Sequence, residues 1–175
     1  VSGGTARAGL SLPEGAGLPM LARPDQVLGR GSAPSIERGP APAFTEVAAA
    51  DKATHQLAGS LAPTLGDATT PRFTVIDGDA MADTVTSGAG MLYVAGRLRV
   101  IGRLDFRGLI AAAGGIEIAP GATLQVCGGA WAAGPNALDA RGTGFVRAST
   151  AVLRLAATLA PLPATARVIA IREAS

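Results

Sequence analysis

Histidine, cysteine and aromatic residues are scarce in this 175-residue chain. It has one histidine and one cysteine, and Phe, Trp and Tyr make up 3% of it. A single cysteine excludes a disulfide scaffold and any cysteine-rich zinc site. A single histidine excludes multi-histidine metal sites and weakens most catalytic triads. With so few aromatic residues, the core must consist of Leu, Ile, Val and Ala.

Long apolar runs and strong charge are also lacking. No run reaches the roughly 18–20 residues of a membrane span, so we expect neither a span nor a signal peptide within this sequence. Because the sequence starts at Val1 rather than Met, we expect a fragment or processed product, and an anchor could lie upstream. The net charge of +2 divides into −3 for residues 1–89 (6 cations, 9 anions) and +5 for residues 90–175 (9 and 4). This asymmetry is too mild to indicate nucleic-acid binding.

The chain is instead rich in glycine and proline, with 24 and 12 residues, which favours a turn-rich fold over a helix bundle. Glycines recur at every sixth position, at Gly90, Gly96, Gly102, Gly108 and Gly114. The second and fourth positions after each of them are all apolar: Leu92, Val94, Leu98, Val100, Leu104, Phe106, Ile110, Ala112, Ile116 and Ile118.

This pattern predicts a mainly β fold, a short parallel β-solenoid of about three coils. Each six-residue unit alternates inward and outward residues, as a strand does, and a glycine forms each corner. Three units close one triangular coil of 18 residues, which buries its inward side chains against the coils above and below. The spacing therefore predicts that Leu92 stacks on Ile110 and Leu98 on Ile116.

The same spacing places Val94 on Ala112, Val100 on Ile118 and Phe106 on Leu124. After Pro120 and Gly121, which form a longer corner, the inward pair becomes Leu124 and Val126.

The regions flanking the repeats divide the chain into two parts. We expect an irregular N-terminal segment over residues 1–44 and a capped β-solenoid domain over residues 45–175. Two helices flank the repeats, one over residues 45–58 and one that begins at Ser149 and ends before Pro161. Short strands are predicted over residues 73–77 and 166–171.

One outward face of the repeats is apolar and needs a cover. Met91, Tyr93 and Leu109 belong to this face, and Trp131 follows it along the chain. These four residues are a predicted interface. Two covers remain open: the helix that follows Ser149, through Val152, Leu155 and Leu159, or a partner protein. Of the two we favour the helix, which would leave a capped monomer.

Two segments resemble the C-terminal β-repeat region of bacterial type IV pilus-assembly accessory proteins, which are minor-pilin-like. They are PRFTVIDGD over residues 71–79 and SGAGMLYVAGRLRVIGRLDFRGLI over residues 87–110. The resemblance extends over residues 45–175. It implies a role at the cell envelope and a membrane helix outside this chain, and it implies no catalytic residue.

The resemblance leads us to expect a non-enzymatic structural or adhesive module, associated with type IV pili at the bacterial cell envelope or surface. Its partners would be pilins or other pilus components, and neither a cofactor nor a metal is expected. Two alternatives remain. One is a polymer-forming solenoid of the bactofilin type, which assembles end to end. The other is a hexapeptide-repeat acyltransferase, whose catalytic histidine would lie within the repeats, whereas His55 precedes them.

Three acidic residues, Asp77, Asp79 and Asp83, form a cluster with two interpretations. Their carboxylates could bind calcium, but turn formation explains such a cluster more simply.

Overall fold

The computed structural model describes residues 10–13, 20–21, 36–39, 53–134 and 137–159. Within these ranges the chain is mainly β, with one helix. Its parallel strands form a β-solenoid of about four turns, which confirms the predicted fold class and extends it by roughly one turn.

The strands differ in length according to the side of the solenoid on which they lie. Three strands of ten residues alternate with strands of three residues along the central part of the chain. The elements are β1 (Leu10–Pro13), β2 (Met20–Leu21), β3 (Ile36–Gly39), β4 (Thr54–Gln56), β5 (Gly59–Ser60), β6 (Thr64–Leu65), β7 (Arg72–Ile76), β8 (Ala80–Ala82), β9 (Val85–Val94), β10 (Leu98–Val100), β11 (Arg103–Ala112), β12 (Ile116–Ile118), β13 (Thr123–Ala132), β14 (Leu138–Ala140), β15 (Thr143–Ala148) and α1 (Thr150–Leu159).

Two parallel sheets enclose the core. The seven-stranded sheet has the order β15-β13-β11-β9-β7-β4, with β6 paired to β9. The six-stranded sheet has the order β2-β14-β12-β10-β8-β5. Each ten-residue strand contains a glycine with positive φ, at Gly90, Gly108 and Gly128, and these glycines lie in register. Such a φ is incompatible with extended backbone, so each long strand bends there and supplies two sides of a triangular turn.

The interior matches the predicted inward pattern. The eleven predicted core residues are at most 2% exposed: Leu92, Val94, Leu98, Val100, Leu104, Phe106, Ile110, Ile116, Ile118, Leu124 and Val126. Phe106 fits this aliphatic core because it lies against Gly88, where a Cβ would come within 2.7 Å of its ring.

Four of the five predicted stacks are present, and the fifth is wrong. Leu92 pairs with Ile110, Val94 with Ala112, Leu98 with Ile116, and Val100 with Ile118. Phe106, however, lies beside Val126, and Leu104 takes the position beside Leu124. The turn from Arg103 to Thr123 has 20 residues, whereas the turn from Val85 to Arg103 has 18. The corner at Pro120 and Gly121 adds the two residues that shift the stack.

Helix α1 covers the apolar outer face of the seven-stranded sheet. Met91, Tyr93 and Leu109 are 0–6% exposed and form a second hydrophobic cluster with Leu153 and Ala156 of the helix. The favoured cover, the helix, is therefore the one observed, and these three residues are buried by their own chain rather than by a partner protein. Trp131 is half-buried and packs against the same cluster.

The helix uses a different stripe of residues from the one predicted. Leu153 and Ala156 are buried, whereas Leu155 is 41% exposed and Val152 is half-buried. Leu159 packs against the cluster as predicted. The residues at 153, 156 and 159 repeat at a spacing of three and share one side of the helix, while Leu155 lies away from it. Ser149 precedes the helix, and its Oγ accepts a hydrogen bond from the Val152 N–H at 3.5 Å.

The predicted first helix, residues 45–58, is wrong where the structure describes it. Thr54–Gln56 is strand β4 and pairs in parallel with Thr74–Ile76 of β7. The exposed edge of β7 offers backbone hydrogen bonds, and this tertiary pairing overrides the weak local helix signal. Residues 45–52 and the predicted strand at 166–171 lie outside the described residues.

The predicted irregular segment, residues 1–44, includes strand pairings where it is described. Strands β1 and β3 pair in parallel with each other. Met20 and Leu21 of β2 pair with Asp139 and Ala140 of β14, so this segment extends the six-stranded sheet at the end opposite β5.

The predicted corner glycines occupy two kinds of position. Gly90 and Gly108 have positive φ within the long strands, as a sharp change of direction requires. Gly96, Gly102 and Gly114 lie between strands and do not have a positive φ. Glycine is required there by crowding instead: a Cβ on Gly102 would clash with the Thr84 carbonyl oxygen, which belongs to the preceding turn.

The first prediction tests the inward and outward register. Leu98→Arg would place an unpaired charge in the core and should cost roughly 3–5 kcal/mol, which prevents soluble folding of a marginally stable chain. Arg97→Leu changes the adjacent, partly exposed position and should be tolerated. Soluble yield and thermal unfolding followed by circular dichroism measure both. Equal tolerance of the two variants would show that the register is wrong.

The second prediction separates crowding from backbone conformation. Both Gly108 and Gly121 have positive φ, but a Cβ on Gly108 would clash with the Gly90 carbonyl oxygen, whereas nothing lies within 4 Å of one on Gly121. Gly121→Ala should cost about 1–2 kcal/mol, the conformational penalty alone. Gly108→Ala should cost at least twice as much. Urea unfolding gives both values, and equal losses would contradict the close stacking of the bends.

Candidate functional site

Two polar surfaces lie on the outside of the solenoid, one on each sheet. The first, the arginine–glutamate cluster, is on the six-stranded sheet and centres on Glu117 of β12. Arg99 Nε donates to Glu117 Oε1 at 3.1 Å, across one turn of the solenoid. Arg141 and Arg97 approach the same carboxylate at 3.6 and 3.8 Å. Arg141 also contacts Asp139 Oδ1 at 3.1 Å.

The geometry of this cluster indicates a structural role. The Glu117 side chain is only 13% exposed, so its carboxylate needs cationic partners to compensate for lost hydration. Parallel register places Arg99, Glu117 and Asp139 in one row, in adjacent strands. Arg99 faces the oppositely charged Glu117, whereas Glu117 and Asp139 are neighbouring carboxylates that Arg141 bridges, and the cluster links three strands of the sheet.

The second surface, the axial groove, crosses the outside of the seven-stranded sheet before its bend. It has a volume of about 500 Å³ and runs along the solenoid axis. Two rows of outward side chains form its floor. The first row, called the polar row, consists of Ser87, Asp105 and Gln125 and ends at the apolar Phe145. The second row, called the arginine row, consists of Ala89, Arg107, Cys127 and Arg147.

The two rows follow directly from the strand register. Each member pairs with the equivalent residue of the next strand, from β9 through β11 and β13 to β15. Adjacent strands are about 4.8 Å apart, so the four members of a row span roughly 14 Å. The rows are two residues apart along each strand, which puts them on the same face of the sheet.

The arginine row carries uncompensated positive charge. Arg107 and Arg147 are both exposed. Neither forms an ion pair or a side-chain hydrogen bond with any residue that the structure describes. Asp105 in the polar row is matched instead by Arg103, whose Nε donates to Asp105 Oδ2 at 2.8 Å. The other carboxylate oxygen, Oδ1, has no hydrogen-bond partner among the described residues.

A short loop forms one end of the groove, at residues 66–70. Asp67 Oδ1 accepts hydrogen bonds from the Thr69 hydroxyl at 2.6 Å and from the backbone N–H groups of Thr69 and Thr70 at 2.8 Å. These bonds, the Thr69 hydroxyl first, lower the pKa of Asp67 well below its ordinary value. Asp67 is therefore ionised throughout the neutral range, and this end of the groove carries a fixed negative charge.

The remaining candidate residues are separated by the fold. Cys127 is half-buried in the arginine row, in register between Arg107 and Arg147. Asp79 Oδ1 accepts a hydrogen bond from the Arg97 N–H at 2.8 Å, and Asp83 Oδ2 accepts one from the Ser60 hydroxyl at 2.7 Å. Two members of the acidic cluster thus join neighbouring turns, and the described residues include no group of three side chains that could hold a metal ion.

The position of His55 also differs from expectation. It lies in β4, in register with Val75, rather than in a helix.

The axial groove was not predicted from the sequence, although its signal is there. The polar outward residues at 87, 105 and 125 recur at the turn lengths of 18 and 20 residues. Recognising this spacing requires the length of the third turn, which only the register at Pro120 and Gly121 reveals.

Comparisons with known proteins do not assign a family. No protein-family model, no curated protein and no solved structure matches this chain. Among the residues that the structure describes, none of the helices has the length and apolar character needed to cross a membrane.

The third prediction concerns the arginine–glutamate cluster. Glu117→Gln leaves three arginines without their shared carboxylate and should lower the free energy of unfolding by about 1–2 kcal/mol. The control Asp105→Asn removes a more exposed, single pair and should cost less than about 1 kcal/mol. Urea unfolding in low salt and in 1 M NaCl measures both. Equal losses that vanish in salt would contradict a partly buried cluster.

Proposed function

We propose that this chain is a non-enzymatic structural and adhesive module, associated with type IV pili at the bacterial cell envelope. The resemblance of residues 71–79 and 87–110 to pilus-assembly accessory proteins supports the pilus association. The observation that carries the adhesive role is the axial groove, which displays Arg107 and Arg147, both exposed and without an ion pair among the described residues. Charged side chains that are exposed and form no ion pair with the described residues are available to a ligand.

The rigidity of the scaffold supports the structural part of the proposal. The outward face beyond the bend is sealed by α1, so Met91, Tyr93 and Leu109 contribute to stability rather than to contacts with other chains. Backbone hydrogen bonds link every turn to the next along both sheets. Such a body holds its exposed side chains in fixed positions, which suits a module that presents a surface.

A bactofilin-like polymer is the second candidate, and one observation favours it. Strand β15 pairs with β13 on one side and has no strand partner on its other side within the described residues. An unpaired edge can recruit a strand from another copy. Against end-to-end stacking, β2 occupies the outer edge of β14 in the six-stranded sheet at the same end. We therefore propose a monomer that attaches to pilus components.

The fourth prediction distinguishes the two candidates. Deleting the gene in the bacterium that carries it should reduce surface pili or surface attachment several-fold, and the purified chain should sediment as a monomer. Complementation with the wild-type gene should restore both phenotypes.

Electron microscopy of pili and sedimentation velocity provide the measurements. Filaments of the purified chain together with normal piliation would reject the pilus module in favour of the polymer. An unchanged number of pili and unchanged attachment with a monomeric chain would reject both candidates.

A further inference from the structure

We propose that the axial groove binds an acidic glycan in which every second sugar carries a carboxylate. This inference rests on the adhesive part of the proposed function and names its ligand class. The binding surface consists of the arginine row on one side and the polar row on the other, both parallel to the solenoid axis.

The spacing of the two arginines selects the ligand repeat. Arg107 on β11 and Arg147 on β15 are separated by two strand spacings, with Cys127 between them. Two spacings of about 4.8 Å place their backbone positions roughly 9.6 Å apart. One pyranose ring in an extended glycan has about the length of one spacing. Carboxylates on alternate sugars would therefore each meet one guanidinium, which forms bidentate bonds with carboxylate.

The polar row matches the uncharged parts of such a glycan. Sugar hydroxyls both donate and accept hydrogen bonds. Ser87 and Gln125 are exposed and can do both. Phe145, which is 54% exposed at the end of the row, offers an apolar ring for the C–H face of a sugar.

The fixed charges of the groove argue against a uniform polyanion and against an acidic peptide. Asp67 keeps one end of the groove negative, whereas the Asp105 carboxylate on its floor is paired with Arg103. A polymer with a negative charge on every unit would be repelled by Asp67, whereas an alternating glycan can place a neutral sugar beside it. In an extended peptide, side chains on one face recur about every 6.6–6.8 Å, which does not fit the arginine spacing.

The fifth prediction tests this ligand class with the 175-residue chain. Isothermal titration should show that a hyaluronan hexasaccharide, which alternates acidic and neutral sugars, binds at least tenfold more tightly than neutral chitohexaose. The double variant R107Q/R147Q should reduce hyaluronan affinity at least tenfold. R154Q, which removes an exposed arginine on α1 outside the groove, should change it less than twofold. Circular dichroism verifies that both variants are folded.

Several outcomes would overturn the proposal. They are no binding by the wild-type chain, equal affinity for chitohexaose, tighter binding of polyglutamate, or equal losses in R107Q/R147Q and R154Q. The last result would indicate non-specific attraction to a basic protein. Absence of glycan binding refutes this inference alone, because the number of pili in the deletion strain tests the pilus association independently.

Discussion

Parallel hydrogen bonding between successive turns is the constraint on which the rest of this structure depends. Because each strand pairs with the equivalent strand of the next turn, every position has a neighbour of the same orientation about 4.8 Å away. Inward positions must therefore form apolar rows, and like charges that meet in an outward row need a countercharge, which Arg141 supplies for Glu117 and Asp139. The glycines at the bends are subject to the same constraint: Gly108 approaches the Gly90 carbonyl oxygen so closely that no side chain fits.

The part of the fold that depends on local alternation could be predicted from the sequence. The inward residues and the solenoid class follow from a two-residue period and a six-residue repeat, which need no knowledge of distant contacts. The stack of Phe106 could not be predicted in this way. A corner that gains two residues preserves the inward and outward alternation, so the local pattern is identical whether Phe106 meets Leu124 or Val126.

Long-range partners decided the remaining elements. Strand β4 forms because the edge of β7 is available, and nothing within residues 45–58 signals that edge. The stripe of α1 that faces the sheet depends on how the helix is rotated, which places Leu153 inside and Leu155 outside. The axial groove was missed for a related reason. Its rows combine residues 18–20 positions apart in the sequence, so a row can be recognised only when the register of all four strands is known.

The same constraint that stabilises the solenoid also places its outward side chains at a fixed repeat, the spacing between strands. A loop-based site can adjust the distance between two arginines at little cost, but Arg107 and Arg147 are fixed by two intervening backbone ladders. Their backbone positions can change only through a change of register, and a slip of one residue would turn the inward apolar side chains outward. Recognition on such a surface depends on ligands with a repeat of their own. The binding side chains of the solenoid are already arranged at the strand spacing. An extended polymer whose units have the same repeat can therefore bind without rearrangement of the protein, and the entropic cost of binding is small.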